Sequence, residues 1–326
     1  MIKTVGVIGG SGYLGSVLVP MLLNAGYKVN VLDLMLFGNT LKKNSNLNIF
    51  KGDMRNLDLV EKFTKNTDAI IHLACISNDP SFELNPNLGK SINYDCFEPI
   101  VKCAKINNVK RFIYASSSSV YGIKEIPNVS ENEQLNPITD YSKYKALCEK
   151  ILKKYSSDDF VTTSVRSATL CGYSSRQRLD LIVNIFCNFA FNKKKIDIYG
   201  GTQLRPNIHI EDTSRFYLCL LKEKKEKINA QEFNIGNKNY PISEIAEIVK
   251  NVYGKEIKLN YTKTDDLRSY HISSKKAESV LNFKCKKTIQ DAINDLKKAF
   301  MEGKLINTFE NEKYYNVKVM KKLNLS

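Results

Sequence analysis

Residues 2–8, IKTVGVI, form a short apolar run that leads into three glycines at GxxGxxG spacing, Gly9, Gly12 and Gly15. The stretch behind them, YLGSVLVPMLLNAG, has apolar residues at helical spacing and stops at Gly26, a natural C-terminal cap. Few folds accept this order of buried strand, glycine turn and helix. In an open parallel sheet the glycines allow a tight turn, a close approach of pyrophosphate to the backbone, and tight packing of the helix on the strand. The helix N-terminus then offers unpaired N–H groups to the phosphates.

A glycine pattern alone is weak, because turns are rich in glycine, but its context strengthens it. A second strand, YKVNVLD, ends at Asp33, 18 residues beyond Gly15, near the position where an acid binds an adenosine ribose. A carboxylate there accepts from a 2′-hydroxyl and repels a 2′-phosphate, so NAD is the expected cofactor rather than NADP. A third strand, LNIF, precedes KGDMRN, whose Asp53 and Met54 are expected at the adenine edge. TDAIIHLA is a fourth buried strand, and the long polar loop CISNDPSFELNPN after it should face the ligand crevice. Asn78 and Asp79 in that loop are candidate substrate contacts, with an ordinary turn role weighing equally. A helix is expected over 87–108, where the Asn93 amide can bond its own backbone or a neighbouring element.

RFIYAS is the fifth strand and ends in four serines, Ser116 to Ser119. Five strands alternating with helices predict a doubly wound parallel sheet. The helix that follows, at about 139–155, carries Tyr141 and Lys145 one turn apart on one face. Free tyrosine, with a pKa of about 10, is only about 0.1% phenolate at pH 7. Bringing that pKa near 7 takes roughly 4 kcal/mol of differential stabilisation. A lysine ammonium one turn away and a positively charged nicotinamide ring have the right sign to supply it. Such a tyrosine is a general base for a secondary alcohol whose hydride passes to NAD.

The remaining features set boundaries. At 326 residues the chain exceeds what one core usually fills, and two lobes are expected. The eight cysteines, at 75, 96, 103, 148, 171, 187, 219 and 285, form no CxxC pair and no Cys/His cluster, which supports neither a disulfide framework nor a metal site. The net charge of +15 comes from lysines spread along helices rather than gathered in one patch, which argues against a nucleic-acid partner. No apolar run approaches the roughly 20 residues that span a bilayer, so no membrane partner is expected. MIKTVGVIGG runs straight into a strand, and a cytoplasmic location is the expectation.

Together these segments resemble the extended short-chain dehydrogenases/reductases of the nucleotide-sugar epimerase/dehydratase group. The resemblance runs to about residue 300 through GGSGYLG (9–15), VLD (31–33), GDMRN (52–56), HLA (72–74), SSSSVYG (116–122), YSKYK (141–145) and RPNIHIED (205–212). It implies an α/β fold, a Rossmann-type doubly wound parallel sheet with a smaller α/β substrate-binding lobe. Residues 1–168, joined by 211–236, would hold NAD, and 169–326 would mainly form the second lobe. It implies Ser117 as catalytic serine, Tyr141 as base and Lys145 as its partner and a ribose ligand. Gly9, Gly12, Tyr13, Leu14, Gly15, Asp33, Asp53, Met54, Leu73 and Ala74 are the remaining cofactor contacts so implied.

The partner implied is a nucleoside-diphosphate sugar in the second lobe, with Arg205 and Arg268 against its pyrophosphate, since a guanidinium suits phosphate better than an ammonium does. For Arg176 and Arg178 a surface-charge role weighs as much as a ligand role, and His209 is expected to make structural hydrogen bonds. The 4,6-dehydratases of the group carry Asp and Glu directly after the catalytic Ser/Thr; here Ser118 and Ser119 stand there as candidate substrate contacts, and serines lack the needed acidity. The family's RxxN asparagine is Thr169 after Arg166, with Asn184 a possible substitute. The expected reaction is oxidation of a sugar hydroxyl at C4, by a 4-epimerase or a 4-dehydrogenase. Dehydration or reduction is the alternative within the family, and an NAD-sensing or RNA-binding protein the rival from another class. A homodimer pairing through the helices at 87–108 and 139–155 is also implied. Residues 305–326 carry no readable function.

Overall fold

The computed structural model describes residues 1–264 and 269–325. Among the described residues twelve strands are formed: β1 (Thr4–Ile8), β2 (Lys28–Asp33), β3 (Leu47–Lys51), β4 (Ala69–His72), β5 (Arg111–Ser117), β6 (Val161–Ser167), β7 (Thr169–Cys171), β8 (Lys195–Tyr199), β9 (Leu204–His209), β10 (Gln231–Ile235), β11 (Lys238–Pro241) and β12 (Lys258–Thr262). Seven of them make one sheet in the order β10-β6-β5-β4-β1-β2-β3, with every neighbouring pair parallel. The strand order reverses between β1 and β4, and a crevice opens beyond the carboxyl ends of the strands at such a reversal. The glycine turn, the loop after β4 and the serines after β5 all lie at those ends.

The central strands are apolar on both faces because helices cover both sides. Val5 and Val7 of β1, Ile70 and Ile71 of β4, and Phe112 and Ile113 of β5 are fully buried. Helices Gly15–Asn24 and Ile210–Lys222 lie together on one face, while Leu57–Thr64 and Phe97–Ile106 pack against each other over a separate apolar cluster containing Phe63, Phe97 and Phe112. A third core, with Phe186, Ile245 and Leu296, fills the second region among helices Ile182–Lys193, Ile242–Tyr253 and Ile289–Met301. The small sheet β11-β9-β7 and the β12-β8 pair belong to this region. Among the described residues no helix is long and apolar enough to cross a membrane.

The helix expected at 87–108 is broken into Pro86–Lys90, a π-helical turn at Ser91–Asp95, and Phe97–Ile106. Within the wide turn, the Asn93 amide accepts from Ile76 N at 2.8 Å and donates to Ile76 O at 2.9 Å. The asparagine thus ties the loop after β4 to this helix, the second of the two roles open to it.

His72, the last residue of β4, is buried against Phe97, Phe112 and Tyr114. Burial, and then the nearby Lys145 charge, push its pKa down to about 3. An unfolded chain protonates the same imidazole below about 6.5. The unfolded state therefore binds the extra proton between these values, and stability falls as pH drops through that window. In denaturant titrations between those pH values, wild-type protein should lose stability more steeply than His72→Phe, by about 1.4 kcal/mol per pH unit at most. Equal slopes would contradict a neutral buried imidazole.

Candidate active site

The glycine turn is shaped by its neighbours. Gly9 has φ +87°, and a side chain there would meet Ala74 N at 2.7 Å. At Gly15 a side chain would collide with the Gly10 backbone, whereas at Gly12 it would meet only Gly9 O, at 3.2 Å. The exposed side of Gly12 is thus where a ligand can approach the main chain. Leu14 precedes the helix Gly15–Asn24 without a side-chain cap, and the Leu73 and Ala74 amides both donate to Ile8 O, which keeps the start of the loop after β4 against the turn. Asp33, at the end of β2, accepts from Ser11 N at 2.9 Å and Met35 N at 2.6 Å. Burial raises its pKa against those bonds. Beside it the Ser11 hydroxyl is buried without a partner among the described residues. An open glycine, an unused hydroxyl and a strand-end carboxylate together fit the adenosine and pyrophosphate half of a dinucleotide. Gly52 N donates to Asp33 O, which brings Asp53 and Met54 alongside. Asp53 is paired with Arg55, and Met54 is buried in the adjoining core.

Helix Asp140–Tyr155 starts at a capping box in which Thr139 Oγ1 accepts from Ser142 N and Ser142 Oγ accepts from Thr139 N. Thr139 Oγ1 also donates to Asp79 Oδ1 at 2.7 Å, tying the helix start to the loop after β4. Tyr141, Lys145 and Glu149 follow at one-turn intervals on one face. Lys145 Nζ donates to Ala115 O at 2.6 Å and stands 5.8 Å from the Tyr141 ring centre. On β5, Ser117 Oγ lies 2.9 Å from Ser119 Oγ.

The Tyr141 pKa is set here by the chain's own groups. Burial raises it well above the ordinary tyrosine value, assisted by Cys75 and Asp79. Arg178 and a hydrogen bond with Ser117 act in the opposite sense without overcoming burial. The chain's own groups therefore keep the phenol protonated. Lys145, committed to Ala115 O, does not reverse this.

Glu149 forms a buried pair with Arg166, Oε2 to Nη2 at 2.7 Å, with Nε also donating to the carboxylate. Ser116 Oγ donates to the same carboxylate. Arg166 Nη1 donates to Tyr121 Oη at 2.8 Å, and that hydroxyl donates to Asn234 Oδ1 on β10. The network binds helix 140–155 to β5, β6 and β10 directly beside the serines.

The substrate-side candidates divide. Asn78, at φ 79°, caps a one-turn helix by accepting from Ser81 N, so its oxygen serves the turn. Asp79 stands between Thr139 and the Tyr141 environment. Ser118 is buried, while Ser119 reaches Ser117. Asn184 is fully buried, accepts from Gly172 N, and donates to Tyr13 Oη and Arg178 O. Both its amide hydrogens are thus occupied, and it holds loop 172–178 on the glycine turn instead of offering donors to a phosphate. Tyr13 Oη in turn donates to Gly172 O at 2.6 Å. Arg205, on β9, donates to Leu204 O and lies over Tyr270. Arg268 lies outside the described residues. His209 accepts from Glu211 N through Nδ1 and meets Asp295 through Nε2 at 3.1 Å, both structural bonds.

Residues 5–236 match the sequence profile of the NAD dependent epimerase/dehydratase family. The chain belongs to that family. A UDP-glucose 4-epimerase of Lactobacillus helveticus is 29% identical over 311 residues, spanning 88% of this chain and 94% of that protein. Among solved structures, the UDP-N-acetylglucosamine 4-epimerase of Methanobrevibacter ruminantium M1, in complex with UDP-N-acetylmuramic acid, superposes with a TM-score of 0.84 at 25% identity, over 93% of this chain and 99% of that one. The UDP-glucose 4-epimerase of Thermus thermophilus, in complex with NAD, shares the fold with a TM-score of 0.80 at 21% identity, over 91% of this chain and all of that one.

Within this family member two arginines stand out that composition did not mark. Arg176 and Arg178 are only 5% and 8% exposed, so the surface-charge alternative fails for both. Arg178 Nε donates to Asp180 Oδ1 and Nη1 to Ser77 Oγ, while Nη2 has no partner among the described residues. The signal available in the sequence was the RQR cluster itself, followed by an apolar helix. Glu149 was also missed, though an acid two turns beyond Tyr141 on the helix face that carries Lys145 marks it.

Proposed function

We propose that the protein is an NAD-dependent nucleotide-sugar 4-epimerase, which oxidises the C4 hydroxyl of a nucleoside-diphosphate sugar and reduces the ketone from the other face. The observation that carries this reading is the convergence of Tyr141, Lys145 and Ser117 at the strand ends beside the Gly12 turn and Asp33. NAD, when bound, supplies the hydride acceptor and a positive ring that favours the phenolate. Gly12, Ser11 and Asp33 would hold its adenosine and pyrophosphate half.

Tyr141 Oη removes the proton from the sugar's 4-hydroxyl and later returns it to the 4-keto oxygen. Ser117 Oγ steadies that oxygen by a hydrogen bond, with Ser119 Oγ as its own neighbour. Lys145, fixed on Ala115 O, holds a positive charge near the phenol. Asp79, through Thr139, fixes the start of the helix that carries the base. Ser118 and Ser119 lack the acid strength needed to expel a 6-hydroxyl, which supports epimerisation over dehydration. Arg178 puts a cation beside Tyr141, where a phosphate or sugar oxygen can accept from its Nη2, unpartnered among the described residues. Arg205 serves the nucleotide in the same reading.

Purified protein supplied with NAD should convert at least one of UDP-glucose, UDP-N-acetylglucosamine, UDP-glucuronic acid, or the GDP-, CDP- and dTDP-hexoses to its C4 epimer, read by proton NMR. Absence of a C4 epimer from all of them would reject the reading, and a ketone without epimer would replace it by a 4-dehydrogenase.

A further inference from the structure

Loop 172–178 reaches from the second region onto the glycine turn. Ser174 Oγ donates to Tyr13 O at 2.8 Å, and Ser175 Oγ donates to Thr40 Oγ1 at 3.1 Å. Between these anchors and the end of β2 lies Arg176, its guanidinium 3.6 Å from the centre of the Phe37 ring. Nη2 donates to Asn316 Oδ1 at 2.6 Å, while Nε and Nη1 are buried with no partner among the described residues. Asn316 belongs to the chain's last helix, Asn316–Lys322. Its Nδ2 donates to Ser77 Oγ and its backbone N to Asp180 Oδ2, and Leu179 N donates to Tyr314 O. The C-terminal segment is therefore fastened across both loops that border the crevice.

A buried guanidinium with one neutral partner is costly unless an anion completes it. Asp180, bonded instead to Arg178 and to Asn316 N, and less strongly Asp33 act on it from a distance, while the like charge of Arg178 works against it. Burial, followed by Arg178, lowers its pKa to about 9, which leaves it charged at neutral pH. The anionic group expected at the adjoining glycine turn is a pyrophosphate.

We infer that Arg176 is a cofactor-binding residue contributed by the second region, closing on the pyrophosphate of the dinucleotide from the side opposite the glycine turn, with Asn316 of the C-terminal segment as its positioning residue. This rests on the NAD reading above. The C-terminal segment thereby holds the clamp that retains the cofactor.

The test is calorimetric titration of NAD and, separately, of UDP into protein freed of nucleotide, with melting temperature measured in its absence. Arg176→Met keeps the stacking on Phe37 and removes the charge. Its NAD dissociation constant should rise about tenfold or more, as for loss of one charge-assisted phosphate contact, with the UDP constant unchanged. Its ligand-free melting temperature should hold or rise, because an uncompensated buried charge has gone. Asn316→Asp, which supplies the guanidinium with a carboxylate, should likewise weaken NAD without loss of ligand-free stability. A fall in melting temperature with NAD affinity intact would make the residue purely structural and overturn the inference. Weakened UDP with intact NAD would overturn it in favour of the sugar nucleotide. Wild-type protein that binds no NAD would instead overturn the cofactor reading itself.

Discussion

Tyr141→Phe should lower kcat for epimerisation by about 10²–10⁴-fold, the range for loss of a positioned general acid or base. NAD affinity and melting temperature should stay close to wild type, because the ring remains and Lys145 is anchored on Ala115 O rather than on the phenol. The starting point makes the effect large. Burial holds the Tyr141 pKa above the ordinary value, so the ligand-free chain has essentially no phenolate at neutral pH. Deprotonation thus depends on neighbouring positive charge. In the NAD-loaded enzyme, kcat/KM should climb with pH as the phenol ionises, and Lys145→Met should move that climb to higher pH. Ser117→Ala should cost less, about 10²–10³-fold, as for one lost hydrogen-bond donor at the reacting oxygen. Full activity in Tyr141→Phe would remove the base from the mechanism even if the reaction stood.

The parts of this site that were legible in the sequence are those fixed by local geometry. Gly9 and Gly15 mark their turn because few other residues tolerate its contacts, Gly12 leaves its outer side open to a ligand, and the Tyr141/Lys145 spacing needs only a helix. What escaped depends on contacts between distant segments. Arg176 and Arg178 read equally well as solvated charges, since nothing nearby in the chain announces that Phe37, Ser77 and Asn316 enclose them. Asn184 offered itself as a phosphate donor, but its amide is consumed by Gly172, Tyr13 and Arg178. The π-helical turn at Ser91–Asp95 was invisible for the same reason: it goes together with the Asn93 bonds to Ile76 in another loop. The single strand β10, which joins the main sheet after an excursion through the second region, was legible only through resemblance, not through periodicity.

Glu149→Gln should destabilise the fold by about 3–5 kcal/mol, the usual cost of breaking a buried ion pair from one side. Against a typical domain stability of about 5–15 kcal/mol, that is a large fraction. Both partners are nearly inaccessible, with side-chain exposures of 5% for Arg166 and 3% for Glu149. Burial alone would lower the Arg166 pKa, yet the hydrogen bonds and charge of Glu149 raise it above the ordinary value. Loss of the negative charge would leave that guanidinium buried among neutral acceptors within hydrogen-bond reach in the described residues, namely the remaining carboxamide oxygen, the Tyr121 hydroxyl and Glu131 O. Urea titration measures the cost, and a value below about 1 kcal/mol, the range of exposed pairs, would contradict the pair's desolvated character. The double variant Glu149→Leu with Arg166→Met should recover most of the stability, because apolar side chains of similar volume replace such pairs well. Activity should not recover with it. Ser116, bonded to Glu149, adjoins Ser117, and Glu149 lies two turns from Tyr141 on the same helix face, so the pair sets the separation of the two reacting hydroxyls. A stable but slow double variant would thus separate what this ion pair does for folding from what it does for catalysis.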